Sequence, residues 1–179
     1  MKRCGSSDGY NVSNTIVYDN LVIQQIQILN NDYRRIIGTT GNGNGADTQI
    51  EFCLATKDPD GNSTNGIVRI SGNYGPYNYR VAADLTSLKS LSSWDPNSYL
   101  NVWVTELMFG QLGKGTWRSD YLGTSSEFED GVVVNVGAFG PNSSIPTMDQ
   151  GRTLTHEIGH WLNLHHPWGD AEGGCFSDG

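Results

Sequence analysis

The sequence predicts an α/β fold, a layer of short strands packed against two main helices, and three stretches carry that prediction. Val22, Ile26, Leu29, Tyr33 and Ile36 recur at steps of four and three within Leu21–Ile37, which places them along one side of a helix. Val132–Val136 (VVVNV) is a near-continuous β-branched run, the pattern of a strand buried on both faces. Leu154, Ile158 and Leu162 stack along one side of a second helix over Gly151–Leu164.

The remaining elements follow in order. Residues 1–14 are mostly polar and read as a flexible N-terminal segment. Asn20 is suited to cap the first helix, Gly38 to end it, and Thr39–Gly45 is a glycine-asparagine loop. Ile50, Phe52 and Leu54 alternate with other residues, as in a strand with one face on a core. Asp58-Pro59-Asp60-Gly61 is a turn, and Ile67–Ile70 a short strand. Val81–Leu91 is ambiguous, with a short helix one reading. Leu100–Thr105 reads as a strand with Val102 and Val104 on one face, and Leu112–Arg118 as an exposed strand interrupted by glycine. At 179 residues the chain suits one domain with a proper core.

Composition removes several functions. A net charge of -8 with no cluster of Lys or Arg argues against nucleic acid as a partner. No apolar run approaches the roughly 18 residues a membrane span needs, and Met1–Gly9 lacks the apolar middle of a signal peptide. Cys4, Cys53 and Cys175, an odd count with no CxxC spacing, form neither a disulfide framework nor a cysteine metal site.

All four histidines fall in one stretch, His156-Glu157-Ile158-Gly159-His160-Trp161-Leu162-Asn163-Leu164-His165-His166. His156 and His160 stand at i and i+4, so both imidazoles leave one helix face and can share a metal. Zinc suits neutral imidazoles in a tetrahedral site with one position open to water. Glu157 lies beside that position, placed to take a proton from the zinc-bound water and hand it to a leaving amine. The third ligand is His166, ten residues after His156, if the chain turns near Asn163. Asn tolerates the left-handed backbone such a turn needs. The result, HExxHxxNxxH, is close to the metzincin pattern HExxHxxGxxH. Glu172 follows His160 too soon, in a glycine-rich segment, to replace His166. His165 is assigned no metal role.

With these residues in view, the chain resembles the pappalysin family of metzincins, especially its bacterial cytophagalysin-like branch. The resemblance runs through Gln24–Arg35 (QQIQILNNDYRR), Ile50–Pro59 (IEFCLATKDP), Trp94–Val104 (WDPNSYLNVWV), Asp130–Gly140 (DGVVVNVGAFG) and Gly151–Asp170 (GRTLTHEIGHWLNLHHPWGD). It implies a metzincin-like upper subdomain, a twisted mixed sheet of four to five strands with two main helices, the second carrying the zinc motif. It implies His156, His160 and His166 as zinc ligands and Glu157 as general base. It also implies that Leu112, Gly113, Lys114, Gly115, Thr116 and Trp117 form the sheet's edge strand, along which a substrate peptide adds as a further strand. An ordinary surface hairpin is the alternative for that stretch. Arg3-Cys4-Gly5 resembles the cysteine-switch segment of metzincin zymogens, in which a thiolate occupies the open zinc position; an incidental terminal cysteine is the alternative.

The chain also departs from the family. Only Thr15–Tyr18 is available for the strand expected before the first helix, so that strand reads as short or absent. Met108 and Met148 precede the zinc motif and no methionine follows it, so the methionine turn expected below the metal is not found. Gly173–Gly179 resembles the start of a calcium- and disulfide-bearing segment, which would leave Cys175 without its partner. The chain therefore reads as a metzincin-like catalytic domain over 15–179, with its C-terminal subdomain largely missing and a pro-segment remnant at 1–14. The expectation is a secreted, monomeric zinc endopeptidase acting on protein or peptide, weak or inactive as this chain alone, with calcium as a second candidate cofactor. The rivals are a catalytically silent zinc-binding module and, from the Tyr/Trp/Asn-rich loops, a carbohydrate or adhesion module.

Overall fold

A chain with few long apolar runs builds its core from short strands covered on both faces. The computed structural model describes residues 2–5, 17–71, 75–141, 145 and 147–166. Its strands are β1 (Lys2–Gly5), β2 (Val68–Ser71), β3 (Val102–Thr105), β4 (Gly113–Gly115) and β5 (Val132–Asn135). Its helices are α1 (Asp19–Tyr33), α2 (Ala82–Ser90), the short α3 (Arg118–Tyr121) and α4 (Arg152–Trp161). The strands form one mixed sheet in the order β2-β1-β3-β5-β4, parallel throughout except for β4, which runs antiparallel to β5 at the edge.

The β-branched run is covered on both sides, as its composition predicts. Val102, Val104, Val132 and Val134 pack with Val22, Leu29, Leu154 and Ile158 of α1 and α4. Trp103 and Val133 face the other way, onto Leu85 and Leu88 of α2 with Tyr77 and Leu107. Val81–Leu91 thus resolves as a helix.

Four expectations are corrected. The first concerns residues 1–14. Lys2–Gly5 is a strand inside the sheet, paired with β2 on one side and β3 on the other. Backbone ladders on both sides define it, and K-R-C-G has no apolar alternation by which a strand could be recognised. Of the alternative first strand at Thr15–Tyr18, Thr15 and Ile16 lie outside the described residues. Val17 is buried, but neither it nor Tyr18 is in a strand.

Second, Asn20 is not the cap of α1; Tyr18 holds that place, and Asn20 Oδ1 accepts the amide of Leu21. Third, α1 stops at Tyr33, not Ile37. Arg35 adopts φ 48°, while Ile36 N–H donates to Asn31 O (3.0 Å) and Arg35 N–H to Asp32 O (3.2 Å). This is a Schellman closure, made at an arginine where glycine is usual. Fourth, Ile50, Phe52 and Leu54 do turn toward the core, but their segment joins no sheet. The Asn30 side chain takes both polar groups of Phe52 instead, donating to its carbonyl (2.9 Å) and accepting its amide (2.7 Å). The segment Gly173–Gly179, with the calcium and disulfide reading placed on it, lies outside the described residues.

Lys89 places a buried cation in this frame. Lys89 of α2 is 1% exposed, its Nζ donating to Glu129 O (2.5 Å) and lying 5.2 Å from the Trp103 ring centre. Burial pushes its ammonium down from 10.5 to about 8. The folded chain therefore binds this proton less tightly than the unfolded one. The cost is fully present below pH 8 and is relieved as pH rises from 8 toward 10.5. Lys89→Met is expected to raise stability at pH 7 by about 1–2 kcal/mol, after deducting the lost hydrogen bond. It should also remove Lys89's contribution to the rise in stability across that alkaline window, both read from urea midpoints.

Candidate metal centre and substrate cleft

The site is built on α4, whose first turn is held by α1. Gly151, at φ 69°, begins the helix, and the buried Gln25 side chain bridges its carbonyl (2.8 Å) to the amide of Gly140 (2.8 Å). Asp32 accepts from Thr155 Oγ1 (2.9 Å) and from the Arg152 guanidinium (3.0 Å). The Tyr33 hydroxyl donates to Thr155 O (3.1 Å), and burial raises its pKa, which keeps it a donor. The residue before His156 is therefore fixed from two sides.

The far end of α4 reverses sharply. Asn163 takes φ 64°, with its N–H on His160 O (2.8 Å) and the Leu164 N–H on Gly159 O (2.9 Å). This is again a Schellman closure, now on the asparagine that the sequence singles out. It returns the chain beneath the helix and brings His166 to His156 and His160. Their three Nε2 atoms form a triangle with edges of 3.1, 3.2 and 3.2 Å. Zn–N bonds of about 2.0–2.1 Å at tetrahedral angles would separate the nitrogens by about 3.3–3.4 Å, so the triangle fits zinc closely. The Leu164 carbonyl lies 2.9 Å from His160 Nδ1. A carbonyl can only accept, so Nδ1 carries the proton and, in the neutral ring, Nε2 keeps its lone pair for a metal.

Glu157 is 8% exposed, and its Oε2 accepts the Gly115 amide (2.8 Å). Burial pushes its carboxyl up, against the opposing pull of that amide, His160, His166 and Lys114. The strand β4 lies directly on α4. A Cβ at Gly113 would stand 2.8 Å from Glu157 Cγ, and one at Gly115 only 2.1 Å from Glu157 O. A side chain at Gly113 would displace the Glu157 side chain, and one at Gly115 would displace the backbone of α4. In the ladder with β5, Asn135 N–H reaches Leu112 O and Thr116 N–H reaches Gly131 O, so Gly113 and Gly115 turn their polar groups outward.

A cleft of about 900 Å³ runs between β4 and α4, with Glu157 and the three histidines on one wall. Leu112, Gly113, Lys114, Gly115 and Trp117 line it. Thr116 does not. Its hydroxyl turns inward to Asp130 (3.1 Å) and Gly131 O (2.9 Å). The Cys4 backbone pairs with Ile70 in β1, and β3 and β5 lie between that strand and the β4 edge.

Two supporting groups escape sequence reasoning. His165 stacks on Trp117, with centroids 4.5 Å apart and planes at 25°, and so ties the loop bearing His166 to the end of β4. Asp130, 2% exposed, accepts from Thr116 Oγ1 and from Trp161 Nε1 (2.9 Å) and pairs with Arg118. One buried carboxylate thus links the edge strand to the last residue of α4. Nothing marks it in the sequence beyond an aspartate before a strand.

A glycine edge strand laid on a helix that bears two histidines and a glutamate, with a third histidine brought to them by the turn that follows, is the metallopeptidase arrangement of the metzincins. The comparisons agree. Mature mirolysin of Tannerella forsythia, solved in complex with a cleaved peptide, is similar at 34% identity and a TM-score of 0.78, over 98% of this chain and 66% of that one. A second mirolysin structure gives 37% identity and a TM-score of 0.76, over 90% of this chain and 62% of that one. An extracellular metalloprotease of Arthroderma benhamiae is 32% identical over 87% of this chain and 44% of its own length. One from Verticillium alfalfae is 29% identical over 76% and 49%. The chain thus spans about half the length of these curated relatives. Residues 86–179 match the peptidase M43 family, described as pregnancy-associated plasma protein-A, and the chain belongs to this pappalysin family.

Proposed function

We propose that the protein is a secreted zinc endopeptidase, with His156, His160 and His166 as ligands and Glu157 as general base. The Nε2 triangle beside a buried carboxylate is the observation that carries this reading. When bound, the ion supplies Lewis acidity at the scissile carbonyl and acidifies water held there. The rest falls to the chain itself. A peptide laid along β4 pairs with the outward groups of Gly113 and the carbonyl of Gly115. The Gly115 amide aims the Glu157 carboxylate into the cleft. Glu157 takes a proton from the attacking water as oxygen bonds to the carbonyl carbon, then delivers it to the nitrogen as the C–N bond breaks. The second proton of the water also passes to the amine, and the products are a new carboxylate and an ammonium group.

A mirolysin structure holding a cleaved peptide supports a peptide as the occupant, and the relatives named extracellular metalloproteases support secretion. No helix among the described residues is long and apolar enough to cross a membrane.

Metal removal tests the reading. Stripping with a chelator should abolish peptide hydrolysis, and one equivalent of zinc should restore it. Hydrolysis surviving in metal-free protein would overturn the assignment. Zinc bound stoichiometrically without hydrolysis would favour a silent zinc-binding module.

A further inference from the structure

We propose that Lys114 selects the substrate residue lying across from it, favouring aspartate or glutamate and disfavouring lysine or arginine. This deepens the strand-addition reading and rests on it. The case begins with what β4 lacks. Gly113 and Gly115 carry no side chain, and a Cβ there would meet Glu157 at 2.8 Å and 2.1 Å. Lys114 is therefore the only side chain this three-residue strand carries. The main-chain groups of the two glycines attract any peptide, and discrimination by β4 falls to Lys114.

Its position suits the task. Lys114 pairs with Val133 of β5, is exposed, and lines the cleft. Outward bonding at Gly113 and Gly115 leaves Lys114 in a non-hydrogen-bonded pair with the added strand, the closer kind, at a Cα separation of about 4.5 Å. Side chains directly opposite in such pairs interact, and opposite charges are favoured. Two charges act on Lys114: the buried Lys89 ammonium of α2 repels it, while the Glu157 carboxylate, one oxygen of which accepts the Gly115 amide, attracts it without forming an ion pair. Lys114 belongs to none of the ion pairs found among the described residues. An acidic residue on the incoming strand would supply a direct ion-pair partner.

The test is equilibrium binding to the zinc-loaded Glu157→Gln protein, so that peptides stay intact. One peptide sequence is used, with Glu or Lys placed at each position in turn. At one position Glu should bind about two- to five-fold tighter than Lys. Adding Lys114→Glu should invert the preference there and nowhere else, and Lys114→Ala should erase it. Peptides that bind with a preference unchanged by both substitutions would overturn the role of Lys114 and leave strand addition standing. Failure of every peptide to bind would overturn strand addition, and the selection with it.

Discussion

Glu157→Gln is expected to lower peptide hydrolysis by about 10²–10⁴-fold, the usual contribution of a positioned general base, while zinc content stays at one equivalent. Glutamine keeps the shape of the side chain, and its carbonyl can still accept the Gly115 amide that Glu157 Oε2 now accepts. What it cannot do is take a proton. Burial pushes the Glu157 carboxyl up from its ordinary value, which makes it a stronger proton acceptor. The same shift has a stability consequence of definite sign. The folded chain binds the Glu157 proton more tightly than the unfolded chain. Glu157 therefore costs nothing below its unfolded value, and its penalty grows as pH rises from there and is complete above its raised folded value. Metal-free Glu157→Gln should then be at least as stable as the metal-free parent at neutral pH, measured by urea denaturation. Loss of zinc or of folding in this variant would instead make Glu157 a structural residue.

The metal helix was legible because its information is local. His156 and His160 share a face by spacing alone, and Asn163 announces a left-handed turn by residue type. The strand Val132–Asn135 was legible because its β-branched run needs no partner to be recognised. The parts that stayed hidden depend on contacts distant in the chain. Asn30 replaces a strand neighbour for Phe52 across 22 residues, and Gln25 reaches Gly151 across 126. No local pattern encodes either bond. Residue preference also misled where a rarer residue does a common job, as at Arg35, which ends α1 three residues before Gly38. Thr116 was placed with the substrate-binding strand by position, yet Asp130 and Gly131 draw its hydroxyl inward. The glycines of β4 looked like interruptions of a strand. Only the approach of α4 shows them to be conditions for it.

That approach makes Gly115→Ala the substitution with the largest expected structural effect. Its Cβ would stand 2.1 Å from the carbonyl oxygen of Glu157, where side-chain carbons do not come closer than 3.0 Å, so strand and helix must part by about 1 Å. Neither can move freely. Asp130 holds the end of β4 through Thr116 and the end of α4 through Trp161, and Asp32 and Gln25 hold the start of α4. Overpacking of this kind costs about 1–3 kcal/mol. A displacement of about 1 Å at a catalytic group can cost about 10²-fold in rate. Gly115→Ala should therefore lose both denaturant stability and peptide turnover. Gly113→Ala separates the two effects, because its Cβ would meet the movable Glu157 side chain at 2.8 Å and the Val133 carbonyl only at 3.0 Å. It should spare most of the stability and still push the base off its line. Denaturant midpoints and kcat/KM for the pair would show this as a split. Equal stability of Gly115→Ala and the parent would mean that α4 and β4 do not lie in backbone contact, and the placement of Glu157 by the edge strand would fall with that contact.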